Sequence, residues 1–183
     1  MRTIESVHDQ GRGVQVKTDD PSIPAGIDLP AVSRWIAESV DRAEPPFRFS
    51  VISGGRSNLT FRVEDANGYM MAMRRPPLGR VLESAHDMGR EFRVISAIGQ
   101  TEVPVPEALA LCTDHSVNGA DFYLMAFIEG LVPHDASAGA AIPQTERQPL
   151  SQDAVKVLAD LHSVDPDEVG LGDLGRRDDY VGR

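Results

Sequence analysis

The sequence is short of several features that would assign it to a particular class of protein. Cys112 is the only cysteine among 183 residues, which excludes an intramolecular disulfide and a cysteine zinc site. Basic residues number 18 against 28 acidic ones, and a net charge of -10 argues against a surface that neutralises nucleic-acid phosphates. No apolar run reaches the length of a membrane span, and the N-terminus lacks the apolar core of a signal peptide. These absences favour a cytoplasmic protein without a nucleic-acid or membrane partner.

The composition otherwise suits a folded domain. Hydrophobic residues make up 41% of the chain, which is enough for a sizeable core. Residues 1–26 carry few large apolar side chains and no periodic pattern, and this predicts a flexible leader. Residues 27–130 are predicted to form the first folded unit. Residues 131–183 begin with a stretch rich in Ala, Gly and Pro, so we expect a linker followed by the start of a second unit.

The first half of the chain predicts a helix and a meander. Asp28 can cap a helix whose apolar positions recur at helical spacing. Alternating apolar and polar residues from Phe47 predict a strand, and Asn67-Gly68 is typical of a hairpin turn. Residues 47–75 are therefore predicted to form three antiparallel strands.

The second half predicts two further helices and two strands. Apolar residues from Met88 to Ile98 recur on one side of a predicted helix, which Gly99 can end. Phe122 to Ile128 predict an almost wholly apolar strand, typical of the inside of a sheet. A strand through residues 109–111 precedes it. A last helix is predicted to begin at Ser151.

One glycine-containing stretch, from Ile52 to Val63, suits a phosphate chain. Gly54 and Gly55 let the backbone turn tightly and approach a ligand, and Ser57 and Asn58 can add side-chain donors. An ordinary hairpin turn has a similar composition, so this stretch alone leaves both interpretations open.

Two charged residues follow the glycine turn in a suggestive order. Arg74 ends the third predicted strand, and Glu91 lies 17 positions on, at the edge of the apolar face of the next helix. A glycine-rich turn, a strand cation and a helix glutamate in this order resemble the small lobe of a kinase, in which the loop covers ATP phosphates and the glutamate orients the cation.

The chain most resembles the aminoglycoside phosphotransferase and choline kinase-like superfamily, in its broad bacterial branch. The resemblance covers roughly residues 28–183. It rests on the following ordered motifs: Gly54-Gly55-Arg56-Ser57-Asn58-Leu59-Thr60, Arg74-Arg75-Pro76-Pro77-Leu78-Gly79, Ala85-His86-Asp87 with Arg90-Glu91, Val103-Pro104-Val105-Pro106, Phe122-Tyr123-Leu124-Met125 and Leu158-Ala159-Asp160-Leu161-His162.

The resemblance implies an α+β fold: a protein-kinase-like small lobe, with a five-stranded antiparallel sheet plus a helix, and the start of a helical large lobe. It implies phosphoryl transfer from ATP or GTP to a hydroxyl of a small molecule. The residues that match nucleotide-binding positions are Gly54, Gly55, Ser57 and Asn58 in the loop, Arg74 with Glu91, and Met125, Phe127 and Ile128 at the hinge.

The sequence departs from the superfamily pattern in two places. Arg74 stands where many members carry Lys, so a planar guanidinium with several donors replaces a compact ammonium. No His-x-Asp sequence occurs, so we expect the catalytic base and the Mg²⁺ ligands to lie outside this chain, which would be the N-terminal part of a phosphotransferase. A non-catalytic nucleotide-binding or scaffold remnant is the alternative, and an unrelated α+β binding module is a third.

Four residues outside the motif argument have plainer interpretations. Arg75 points away from Arg74 and is predicted to be a strand-edge charge that discourages aggregation. His162 is predicted to be a hydrogen-bonded core histidine, and Cys112 a small buried apolar residue. His86 precedes Asp87 at a helix start, and this favours helix capping over metal binding.

Overall fold

The structure is a computed structural model that describes residues 23–52, 58–79, 86–133 and 135–175. The strands are β1 (Arg48–Val51), β2 (Leu59–Glu64), β3 (Met70–Arg75), β4 (Ala108–Cys112) and β5 (Phe122–Ala126). The helices are α1 (Leu29–Ser39), α2 (Met88–Ile98), α3 (His115–Asn118), α4 (Ala136–Ala140) and α5 (Gln144–Ser163).

The five strands form one antiparallel sheet in the order β1-β2-β3-β5-β4. The predicted meander is confirmed, because β1, β2 and β3 are neighbours joined in sequence order. The predicted internal position of β5 is also confirmed, since it pairs with β3 on one side and β4 on the other. This sheet with its helices is the α+β, kinase-like arrangement that the resemblance implies.

Strand alternation gives the sheet two different faces. One face is buried against α1, where Val32 and Ile36 are fully enclosed. The sheet residues in this core are Phe49, Phe61, Val63, Met71, Met73, Phe122 and Leu124. Residues between them in sequence, such as Thr60, Arg74 and Tyr123, therefore point to the opposite face.

Helix α2 lies on the side of Arg74 and Tyr123. Asp87 caps its N-terminus, with a side-chain oxygen 2.8 Å from the Arg90 backbone N–H, and Gly99 follows its last residue as predicted. A second, smaller core joins Ala97 and Ile98 of α2 to Val103 and Leu171. The helix is thus held between the sheet and the segment around residue 171.

The last helix begins earlier than the sequence pattern indicates. Helix α5 starts at Gln144 rather than Ser151, and Pro149 lies inside it. Its first two turns are exposed and mostly polar, so no apolar period marks them in the sequence. His162 is exposed, so its predicted place in a core is wrong. No helix in the described ranges combines the length and apolarity that crossing a membrane requires.

Arg75 is buried, which contradicts its predicted role as a strand-edge charge. It lies on β3, which is internal to the sheet, and only 7% of its surface is exposed. Its guanidinium donates to the Gly26 carbonyl and, at 3.4 Å, to the Asn118 carbonyl. Burial lowers the pKa of Arg75. Ile23 packs against the main core as well, whereas residues 1–22 lie outside the described part of the chain.

Candidate functional site

The structure brings part of the predicted nucleotide site together. Gly54, Gly55 and Ser57 lie outside the described residues. Asn58, just before β2, meets Arg74 of β3 and Glu91 of α2 in one hydrogen-bonded group. The hinge residues Met125, Phe127 and Ile128 lie at and beyond the end of β5.

The predicted ion pair between Arg74 and Glu91 is confirmed. Arg74 Nε lies 2.7 Å from Glu91 Oε2, and each side chain is 33% exposed. Because Nε binds the carboxylate, the two terminal nitrogens of the guanidinium are left for other partners. One of them lies 3.4 Å from Thr60 Oγ1, on the strand position directly opposite Arg74.

Glu91 receives hydrogen bonds from three separate segments. Besides Arg74, Asn58 Nδ2 donates to Oε1 at 2.8 Å and the Tyr123 hydroxyl donates to Oε2 at 3.1 Å. Burial, followed by the nearby Glu91 charge, raises the pKa of Tyr123 well above its ordinary value, so its hydroxyl stays protonated as a donor. The carboxylate is therefore fixed in position rather than free to rotate.

The sequence interpretation missed Tyr123 and the part that His86 plays. Tyr123 pairs with Arg74 across β3 and β5, so it shares the Arg74 face by alternation. That signal was available only once the strand pairing was known. His86 lies just before the N-cap Asp87, and its Nδ1 is 2.5 Å from Asn58 Oδ1. Asn58, predicted to face phosphates, is 6% exposed and faces Glu91 and His86 instead.

A cleft of about 490 Å³ opens beside the ion pair. Its walls are mostly apolar, and the charged side chains among them are those of Arg74, Arg90 and Glu91. The lining residues are Arg74, Arg90, Glu91, Val94, Ile95, Pro106, Tyr123 and Met125. A concave, largely apolar cleft with a few convergent polar groups is typical of a small-ligand site.

The hinge residues differ in what they can offer to a ligand. The Met125 backbone belongs to the sheet, between Ala72 and Ala108, while its side chain lines the cleft. The Phe127 N–H already donates to the Met70 carbonyl at 3.4 Å. Within the described ranges, the Ile128 backbone has no hydrogen-bond partner, so it is the hinge position with groups to spare.

The described residues contain no group of three or more His, Cys, Asp or Glu side chains that could hold a metal ion. The carboxylate of Glu91 is occupied by its three donors. The described residues therefore contain no set of ligands that fits the Mg²⁺ implied by the resemblance.

The sequence profile of the "Phosphotransferase enzyme family" matches residues 48–183. The chain belongs to this family. A crystal structure described as "a putative aminoglycoside phosphotransferase", from Ralstonia eutropha JMP134, superposes with a TM-score of 0.64 at 31% identity. That match covers 81% of this chain and 42% of the other. The family and the fold are those of kinase-like phosphotransferases.

Curated relatives carry a different name. "Probable acyl-CoA dehydrogenase IBR3" of Arabidopsis thaliana is 38% identical over 163 residues, which cover 85% of this chain and 20% of that protein. "Acyl-CoA dehydrogenase family member 11" of Gallus gallus is 39% identical over 131 residues, covering 72% and 16%. The chain thus spans a fifth or less of these two relatives.

Proposed function

We propose that this chain is the nucleotide-binding part of an ATP-dependent phosphotransferase that transfers the γ-phosphoryl group to a hydroxyl of a small molecule. The single observation that carries the proposal is that Arg74 lines a largely apolar cleft and is paired there with a fixed Glu91. Polyphosphates need a positioned cation, and a partly buried cation needs a paired anion to hold it.

The residues that line the cleft suit a nucleotide. Val94, Ile95, Pro106 and Met125 supply apolar surface, and the terminal guanidinium nitrogens of Arg74 supply charge. A planar guanidinium can bind two oxygens of a phosphate at once. The Ile128 backbone would bind the base, and Gly54, Gly55 and Ser57 would cover the phosphates.

The names of the curated relatives do not assign dehydrogenation to this chain. The matched segment is 20% of the Arabidopsis protein and 16% of the chicken protein, so most of each lies outside the match. The segment that does match belongs to the phosphotransferase family. The acceptor, the choice between ATP and GTP, and the cytoplasmic location stay predictions.

Calorimetric titration of this chain with MgATP tests the proposal. We expect saturable binding that Arg74→Ala weakens, with MgGTP titrated in parallel to compare the two bases. A wild-type chain that folds but binds neither nucleotide would overturn the proposal. If the chain binds MgATP but a longer protein that contains it transfers no phosphate to any acceptor, the non-catalytic nucleotide-binding alternative is favoured.

A further inference from the structure

Asn58 has both ends of its side-chain amide engaged inside the protein. Its Nδ2 donates to Glu91 Oε1 at 2.8 Å, and its Oδ1 lies 2.5 Å from His86 Nδ1. Only 6% of the residue is exposed. The amide therefore bridges two protein groups, and little of it is left for a ligand.

The chemistry of the partners fixes the orientation of that amide. An ionised Glu91 carboxylate can only accept hydrogen bonds, so the amide NH₂ faces it. The amide oxygen then faces His86, and because that oxygen only accepts, His86 Nδ1 must carry the proton. One hydrogen-bonded chain thus runs from His86 through Asn58 and Glu91 to Arg74.

The positions of these residues show which elements the hydrogen-bonded chain connects. His86 and Glu91 lie on either side of the N-cap Asp87, at the start of α2. Asn58 lies directly before β2, whose Thr60 is opposite Arg74. The Asn58 amide therefore links the start of β2 to residues on both sides of the α2 N-cap.

We propose that Asn58 is a positioning residue, which orients Glu91 and through it Arg74, and that His86 sets the orientation of the Asn58 amide by donating from Nδ1. The effect on nucleotide binding rests on the proposed function. The competing assignment makes Asn58 a direct phosphate ligand of the glycine stretch. The two assignments differ in whether Asn58 acts when Glu91 is absent.

A double-mutant cycle on MgATP affinity separates them. We expect Asn58→Ala to weaken binding roughly tenfold in the wild-type background, as expected for loss of a hydrogen bond to a charged group. In the Glu91→Ala background we expect the same change to weaken binding less than about twofold. Asn67→Ala, which removes an exposed hairpin amide, is the matched control and should leave the affinity unchanged. An equal loss in both backgrounds would overturn the positioning role.

Nitrogen NMR without nucleotide tests the same inference independently. In the wild type we expect a proton on His86 Nδ1 and a slowly exchanging Arg74 Nε–H signal, the latter assigned by its loss in Arg74→Lys. Asn58→Ala should remove the preference for Nδ1 and speed the exchange, and Asn67→Ala should change neither. His86→Ala is a second variant, acting only through the amide, in case Asn58→Ala does not fold, and it should also speed the Arg74 exchange.

The two readouts keep this inference and the proposed function distinguishable. If the wild type binds no MgATP, the proposed function fails and the NMR result alone decides the role of Asn58. If Asn58→Ala, or His86→Ala where the first does not fold, leaves the Arg74 Nε–H exchange unaltered, the positioning role is wrong even when nucleotide binds.

Discussion

Arg74 Nε and Glu91 Oε2 lie 2.7 Å apart, although the two residues are 17 positions apart on different elements. The contact uses Nε of the guanidinium and leaves the terminal nitrogens to donate to other partners. Because Glu91 is also held by Asn58 and Tyr123, the position of the cation is decided by the sheet and α2 together. Substitutions at Arg74 should therefore report directly on the site.

We predict that Arg74→Ala weakens MgATP binding roughly tenfold or more, since a hydrogen bond to a charged group contributes about 1.5–3 kcal/mol. Arg74→Lys should bind MgATP with an affinity between those of the wild type and Arg74→Ala. A single ammonium lacks the separate nitrogens with which a guanidinium can bind Glu91 and a phosphate at once. Calorimetry measures the affinities. Arg48→Ala is the control, since Arg48 is an exposed arginine paired with Glu64, and it should bind as the wild type does. Wild-type affinity in Arg74→Ala would refute the phosphate role of this residue.

We predict that Gly55→Val weakens MgATP binding without unfolding the sheet. The reason comes from the sequence alone: a backbone that must approach phosphates closely leaves no room for a branched side chain. Gly55 lies outside the described residues. Gly175→Val is the matched control, because a Cβ at Gly175 would meet nothing within 4 Å. Circular dichroism checks the fold. If folded Gly55→Val binds MgATP with unchanged affinity, the stretch from Ile52 to Val63 is better interpreted as an ordinary hairpin turn.

We predict that Asp65→Asn lowers the free energy of unfolding by roughly 1–3 kcal/mol at neutral pH, because it weakens a buried acceptor. Asp65 is 1% exposed and accepts from the backbone N–H groups of Glu44, Asn67 and Tyr69. Burial by itself would raise the pKa of Asp65, but these donors outweigh it and the pKa is lowered.

The sign of this pKa shift sets the pH dependence. A carboxyl whose folded pKa is lowered stabilises the protein above its unfolded pKa, and that stability is lost as the pH falls through the folded pKa. Urea unfolding at neutral and acid pH should show a smaller acid loss in Asp65→Asn than in the wild type. Asp41→Asn, on an exposed carboxyl, is the control and should unfold with the same free energy as the wild type at neutral pH. Parallel pH curves for Asp65→Asn and the wild type would refute the prediction.

We predict that the 183-residue chain transfers no phosphate to any acceptor. Positioning of the nucleophile and the metal supplies most of the catalysis in phosphoryl transfer, and the sequence has no His-x-Asp motif. Incubation with radiolabelled MgATP and a panel of hydroxyl-bearing small molecules measures this, with inorganic phosphate release as a second readout. Turnover that follows the purified chain and disappears in Arg74→Ala would contradict it.

We predict that Leu158→Lys reduces self-association and binding of an apolar-sensing dye without lowering the melting temperature. Leu158 and Leu161 of α5 are 51% and 41% exposed, so they present apolar surface to water and support little packing. Light scattering and dye fluorescence measure the effect. Gln152→Lys adds the same charge to an exposed position of the same helix and removes no apolar group. Equal effects of the two variants would assign the change to charge alone.

Much of the fold follows from local sequence pattern. The hairpin at Asn67-Gly68, the alternation of β1 and the apolar run of β5 each report a structure that neighbouring residues decide. The start of α5 does not, because its first turns are exposed and polar and leave no period to read. Arg75 was misjudged for a related reason: alternation tells which face a residue takes, but not what covers that face.

The sequence by itself determined the family and the order of the strands along the chain, because those depend on ordered motifs, and the resemblance to a kinase small lobe predicted that Arg74 meets Glu91. The tertiary structure alone decided that Asn58 turns to Glu91 and His86 and that Tyr123 supplies a third donor. Those contacts join segments 28 to 33 residues apart, and their atoms meet only after the sheet pairs and α2 docks. Local periodicity carries information about faces, whereas hydrogen-bond partners are chosen by the packing of elements that are distant in sequence.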